Sequence, residues 1–182
     1  YSNIKMSISS YLIEESYNKL NQEQIIDFSK CFTNQNQKEN EKEINIEKWN
    51  DEEYIDLKII GSGSSSSVKL VYQIEDKKLY AIKMQTPIYN GNEEYYKREF
   101  NNYLRLNYPL LPKLYGIYKM NDIFYLKIQY IKGETLLNSE KFQTISFENK
   151  IFIILQLIII INYFHKKGFV YRYLKPNNII ID

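Results

Sequence analysis

At 182 residues, 44% of them hydrophobic, the chain is long enough for one domain with a buried core plus an extension. Its 24 Lys and Arg against 22 Asp and Glu leave a net charge of +2, so no basic surface asks for nucleic acid or an anionic membrane as partner. A single cysteine, Cys31, excludes an intrachain disulfide and fits a reducing, cytoplasmic interior.

The charge is unevenly spread: residues 1–50 hold six Lys and eight acids, so the mild basic excess lies after residue 50, which is compatible with a phosphate binder. The chain starts at Tyr1 without a secretory signal pattern, which reads as a partial sequence. Between Ser9 and Phe32, Leu12, Ile13, Tyr17, Leu20, Ile25, Ile26 and Phe28 predict one irregular amphipathic helix or two short ones. Residues 34–43 (NQNQKENEKE) carry no apolar side chain and predict a flexible linker. The expected organisation is therefore an extension over 1–50 and a domain over 51–182.

From Tyr54 the pattern changes to strands. YIDLKIIG, then VKLVYQI ending at the turn Glu75–Lys78, then LYAIKM predict three strands, with a Gly/Ser run between the first two. EEYYKREFNNYLRL places Tyr96, Phe100, Tyr103 and Leu104 at helical spacing. KLYGIYK and IFYLKIQY, on either side of Asn121 and Asp122, predict a second hairpin. The result is an α+β unit of five antiparallel strands and one main helix. After Gly133 the chain turns helical, most clearly over 147–167. The apolar run 151–161 is shorter than the about 20 residues needed to cross a membrane and is bounded by Asn149, Lys150, Asn162, His165 and Lys166, so a core helix is expected. Gly168, after two lysines, ends it.

Gly61-Ser62-Gly63 supplies bare backbone amides able to approach phosphate oxygens. The run joins two strands, which excludes a dinucleotide-binding turn, and no Gly-Lys-Ser/Thr follows, which excludes a Walker loop. By itself it equally describes a Ser-rich surface hairpin. Lys83, in the apolar strand Ala81-Ile82-Lys83 fifteen residues past Val68, falls one hairpin away from that loop. A buried lysine needs a carboxylate, and Glu99 on the next helix is the natural one; a snorkelling Lys83 and a solvated Glu99 are the alternatives.

The order of glycine loop, Ala-x-Lys, helix with Glu, two strands and long helix resembles the protein kinase family. Tyr171–Asp182 (YRYLKPNNIIID) is similar to that family's catalytic loop His-Arg-Asp-Leu-Lys-Pro-x-Asn, with Arg172, Leu174, Lys175, Pro176 and Asn178 in register and a strand after it. HKKG at 165–168 is similar to the His-x-x-Gly lead-in, which gives His165 a structural role. The resemblance covers 54–182 and implies a small lobe over about 51–131 and part of a mostly helical large lobe over about 132–182. It implies ATP as ligand. Gly61, Ser62, Gly63, Ser64 and Ser66 would cover the phosphates. Ile60, Val68 and Ala81 would wall the adenine, with Ile128 as gatekeeper and Gln129, Tyr130 and Ile131 as the hinge, while Lys83, held by Glu99, would contact the phosphates.

Three substitutions depart from the family pattern. Ser66 replaces the third glycine and Tyr171 the first histidine, both mild. Tyr173 replaces the aspartate that accepts the substrate's proton, and a phenol, protonated at neutral pH, cannot accept it. The chain also stops at Asp182, before the family's Asp-Phe-Gly, so Asn178 would be the one metal ligand and Mg²⁺ would depend on the nucleotide. These features imply a Ser/Thr-type kinase-like ATP-binding domain, impaired in catalysis, that meets a protein substrate or partner. The alternatives are an active kinase using Lys175 and Asn178 with another base, and a scaffold that binds no nucleotide.

Overall fold

The computed structural model describes residues 6–8, 44–63, 66–85 and 93–181. The helix expected within 9–32, the linker 34–43, Ser64, the connection 86–92 and Asp182 lie outside the described residues. In chain order the elements are β1 (Met6–Ile8), β2 (Glu47–Lys48), β3 (Tyr54–Ser62), β4 (Ser66–Gln73), β5 (Lys78–Gln85), α1 (Glu93–Arg105), β6 (Leu114–Met120), β7 (Ile123–Gln129), β8 (Glu134–Thr135), α2 (Glu140–Thr144), α3 (Phe147–Lys166) and β9 (Ile179–Ile181). Contacts divide them into two units, one within 41–107 and 112–130, the other containing β1, 108–111 and 131–181.

The first unit is a sheet in the order β2-β6-β7-β5-β4-β3. All five expected strands are present and pair antiparallel; a sixth, β2, adds to β6 in parallel, Glu47 opposite Tyr118 and Lys48 opposite Lys119. Trp49 is what draws it in. The indole lies flat between Tyr54 (centroids 4.5 Å apart) and Tyr125 (4.7 Å), edge-on to Tyr118, and its N–H donates to Asp51 Oδ1 at 2.5 Å. Ile44 and Ile46 alternate with Asn45 and Glu47, but Lys48 breaks the pattern and a two-residue strand is too short for periodicity to detect.

Alternation along β5 sends its side chains to opposite faces. Tyr80 and Ile82 join Val71, Tyr125 and Trp49 in an aromatic core cluster on one face. Ala81, Lys83 and Gln85 fall on the other, where α1 packs: Phe100, fully buried, meets Phe124 edge-on at 5.2 Å. On the aromatic face Lys127 is 7% exposed, donates to Gln73 Oε1 and lies 3.9 Å from the Tyr80 ring centroid. Burial holds its pKa below the ordinary lysine value. Tyr80 in turn donates to Asp76.

In the second unit Ser146 caps α3 by accepting from Asn149 N at 3.3 Å, and Gly168 closes it with φ +77°, a left-handed residue where an apolar Cβ would be strained. Ile153 on α3 packs with Ile179 and Ile181 of β9, backed by Leu136, Phe142, Ile145 and Leu157. β9 lies between β1, paired in parallel, and β8, paired antiparallel. A Cβ on Gly133 would sit 2.1 Å from the Ile181 carbonyl oxygen, so only glycine lets the chain enter β8 this close to β9. The helix expected over 147–167 is present as α3, but one inference is corrected: the whole 20-residue helix has the length and composition of a membrane span, so the shortness of the apolar run 151–161 excludes nothing. Ile153, Ile159, Ile160 and Phe164 are its buried side chains.

Trp49→Ala removes the aromatic anchor and is expected to cost about 3–5 kcal/mol in denaturant unfolding followed by circular dichroism. Because the chain has one tryptophan, wild-type indole fluorescence should report the same transition. The hydrogen bond to Asp76 and, secondarily, burial push the Tyr80 phenol up from 10.0 to about 12. The folded state therefore keeps a proton that the unfolded state loses above pH 10, so this contribution is fully present below that value and fades as pH rises through about 12. Tyr80→Phe should make the fall in melting temperature across that window shallower, without abolishing it, since burial also raises Tyr118 and Tyr125.

Candidate functional site

The first unit brings the glycine hairpin and the lysine into one row. Gly61 is opposite Val68, Val68 opposite Lys83, and Lys83 opposite Leu126, so four strands present these positions side by side. Two residues along, the next row on the same face holds Leu70, Ala81, Ile128 and Leu114. Val68, Ala81, Lys83 and Ile128 thus share one face, because directly opposed residues point the same way. Ile60 is the extra residue of a bulge between Ile59 and Gly61, partly buried, and a second bulge at Leu57 lies two turns of pleat before it.

The hairpin tip is closed by Gly63 N donating to Ser66 O at 2.8 Å, with Ser62 opposite Ser67. Neither glycine is required by the protein's own packing. A Cβ at Gly61 would rest 3.6 Å from Val68 and one at Gly63 3.7 Å from Ser66 O, ordinary contacts, and among the described glycines positive φ occurs at Gly168 alone. What glycine secures at 61 and 63 is a bare outer surface on the backbone.

Lys83 Nζ donates to Glu99 Oε1 at 2.6 Å, the side chains 8% and 4% exposed. The expected pair is present, and neither the snorkelling nor the solvated alternative holds. Glu99 reaches it because its neighbour Phe100 is locked into the core against Phe124, which fixes the rotation of α1. The other carboxylate oxygen, Oε2, accepts from Gln85 Nε2 at 2.5 Å. Gln85 went unnoticed in the sequence, although its position two residues after Lys83 on a strand puts it on the lysine's face. At the expected hinge, Gln129 N donates to Lys113 O at 2.8 Å, so this amide is engaged by the protein itself; Tyr130 is partly buried and ends the unit, and Ile131 belongs to the other.

In the second unit the loop Tyr171–Leu174 leads into a short 3₁₀ turn at Pro176–Asn178 and then β9. Asn178 is 6% exposed and organises this loop: its backbone N donates to Lys175 O and its Nδ2 to the Tyr173 carbonyl, both at 2.9 Å. Its side chain also bonds the Tyr171 phenol, whose pKa burial pushes up to about 12 against the opposing effect of that bond. The Tyr171 ring lies 5.3 Å from Phe164 near the end of α3. Lys175 is exposed and Tyr173 40% exposed. His165 is exposed at the C-terminus of α3, its carbonyl accepting from Gly168 N.

Comparison with known proteins agrees with this geometry. The protein kinase domain family matches residues 54–182. Among relatives, the serine/threonine-protein kinase cot-1 of Neurospora crassa is 30% identical over 135 residues, 72% of this chain and 23% of its own length. The serine/threonine-protein kinase CBK1 of Pneumocystis carinii is 30% identical over 69% of this chain and 26% of its own. The 3-phosphoinositide-dependent protein kinase 1 of Homo sapiens is 31% identical over 69% of this chain and 23% of its own. The chain spans about a quarter of the length of these relatives. A glycine hairpin, a buried Lys83–Glu99 pair and an Asn178-centred loop, matched over most of the chain, make this protein a member of the protein kinase family.

Proposed function

We propose that this chain holds ATP through its strand unit as part of a Ser/Thr-type kinase, and that Tyr173 impairs its phosphoryl transfer. The observation that carries the first half is the buried Lys83–Glu99 pair in register with Gly61. An ammonium has three N–H donors and Glu99 takes one, leaving charge and donors for phosphate oxygens. Gly61 and Gly63 give those oxygens access to backbone amides, and Val68, Ala81 and Ile128 offer the adenine an apolar face. Backbone groups at Gln129–Ile131 other than the engaged Gln129 N would meet its polar edge.

Mg²⁺ fits the available donors only in company. Among the described residues no cluster of three His, Cys, Asp or Glu could hold it. Asn178 commits Nδ2 to the Tyr173 carbonyl, which leaves Oδ1 as its metal-facing atom. One neutral oxygen needs the nucleotide's phosphates beside it. When bound, the ion would neutralise charge developing on the transferred phosphoryl group.

The second half rests on residue 173. Its carbonyl is used to close the loop, so the backbone that would present a proton acceptor is intact while the side chain presents a phenol. In this reading Lys175 would meet the transferred phosphate, and the protein to be phosphorylated or bound would be met at this loop. A kinase-type activity of this kind operates in the cytoplasm, the compartment that the sole cysteine fits.

ATP with Mg²⁺ should raise the melting temperature by a few degrees at saturating nucleotide. Lys83→Met should lose that rise; equal rises in the two proteins, or none in wild type, would remove the nucleotide reading. In a phosphoryl-transfer assay on the full-length protein, Tyr173→Asp should exceed wild type by about 10²- to 10⁴-fold. Wild-type transfer equal to the variant's would show that another group accepts the proton.

A further inference from the structure

We infer that Gln85 is a positioning residue for the nucleotide grip: it orients the Glu99 carboxylate so that one oxygen is aimed at Lys83. Gln85 ends β5, 4% exposed, on the same face as Lys83 by strand alternation. Its Nε2 lies 2.5 Å from Glu99 Oε2 while Lys83 Nζ lies 2.6 Å from Oε1, so the carboxylate is held at both oxygens by two residues of one strand. A carboxylate gripped by the lysine alone is free to rotate about its last torsion and to share both oxygens with the ammonium. Gripped at both ends it cannot, and the lysine's other two donors stay directed elsewhere.

The orientation of the amide is forced. With its oxygen turned toward Glu99, Gln85 would set two acceptors against each other, so the NH₂ group must face the carboxylate. The consequence is visible in Gln85 Oε1, which is buried and accepts no hydrogen bond among the described residues. An orphaned buried acceptor destabilises the fold, and a leucine of similar size would avoid it. Core packing therefore gives no reason for a glutamine here, whereas a donor aimed at Glu99 does. The same bond ties α1 to β5 independently of Lys83, so the helix is kept against the sheet when the ammonium turns to a phosphate.

The inference rests on the nucleotide reading above. Calorimetric titration of ATP with Mg²⁺ into the full-length protein at about pH 6 and about pH 8 tests it in Gln85→Leu and Gln85→Glu. Gln85→Leu should weaken binding about tenfold at both pH values. Gln85→Glu places two carboxylates at hydrogen-bond distance. At the lower pH the new side chain is protonated and donates to Glu99 as the amide did, so affinity should return near that of wild type. At the higher pH it repels Glu99 and affinity should fall about tenfold or more. Binding by Gln85→Leu within about twofold of wild type, or a loss in Gln85→Glu that is the same at both pH values, would overturn the positioning role. A ligand-free readout separates the two ideas. Acylation of Lys83 by acetic anhydride, followed by mass spectrometry relative to exposed Lys58, should be slower in Gln85→Leu, where Glu99 can turn both oxygens to the ammonium. Slower labelling alongside a wild type that binds no ATP would leave Gln85 in its role and remove the nucleotide reading alone; unchanged or faster labelling would overturn the role itself.

Discussion

Two charged side chains taken out of water, Lys83 and Glu99, set the terms for the first unit. Stripping either ion of hydration costs several kcal/mol, a cost offset only when partner and geometry are both right. The sheet and α1 must therefore be held in one arrangement, and the packing of Phe100 on Phe124 is what holds them. Removing either partner strands a buried charge, so the pair is more informative as a sign of use than as a source of stability.

That demand is met without disturbing the core because a strand can serve two masters. β5 gives Tyr80 and Ile82 to the aromatic cluster and Ala81, Lys83 and Gln85 to the opposite face. The aromatic cluster, closed by Trp49 between Tyr54 and Tyr125, makes the sheet rigid from behind. The two bulges in β3 bend its far edge, so that Gly61 still arrives opposite Val68 after two extra residues. Position on the sheet, rather than any one residue, is what places the glycine hairpin beside the lysine.

In the second unit the loop is held by a bond that does not depend on the side chain at its centre. Asn178 closes the loop through the carbonyl of residue 173, a group that every amino acid supplies. An aspartate, a tyrosine or any other side chain at that point leaves the bond in place. Tyr171 is accommodated by a different device, its ring against Phe164 and its phenol on Asn178. The loop's closure is therefore independent of which side chain stands at 173.

Much of this was legible in the sequence, and for identifiable reasons. The five strands, α1, the long helix and its glycine stop follow from period-2 and period-3.6 patterns and from turn residues, which are local. The glycine hairpin, Lys83, Glu99 and the loop from Tyr171 to Asn178 were found because motif order carries information that no single residue does. The sequence could not show that Trp49 recruits a sixth strand, since the reason lies in Tyr54, Tyr118 and Tyr125 on three other strands. Nor could it single out Gln85, a polar residue at a strand end whose significance appears only when Glu99, fourteen residues later, is folded back onto it. It placed α3 within one residue, over 147–167 against the 147–166 observed, but weighed a membrane span by the apolar run 151–161 alone, whereas the polar residues around that run lie within the same helix. Local pattern determined which elements form and which motif residues they carry; tertiary structure alone decided which polar atoms meet, because hydrogen bonds act over about 3 Å in space and take no account of separation along the chain.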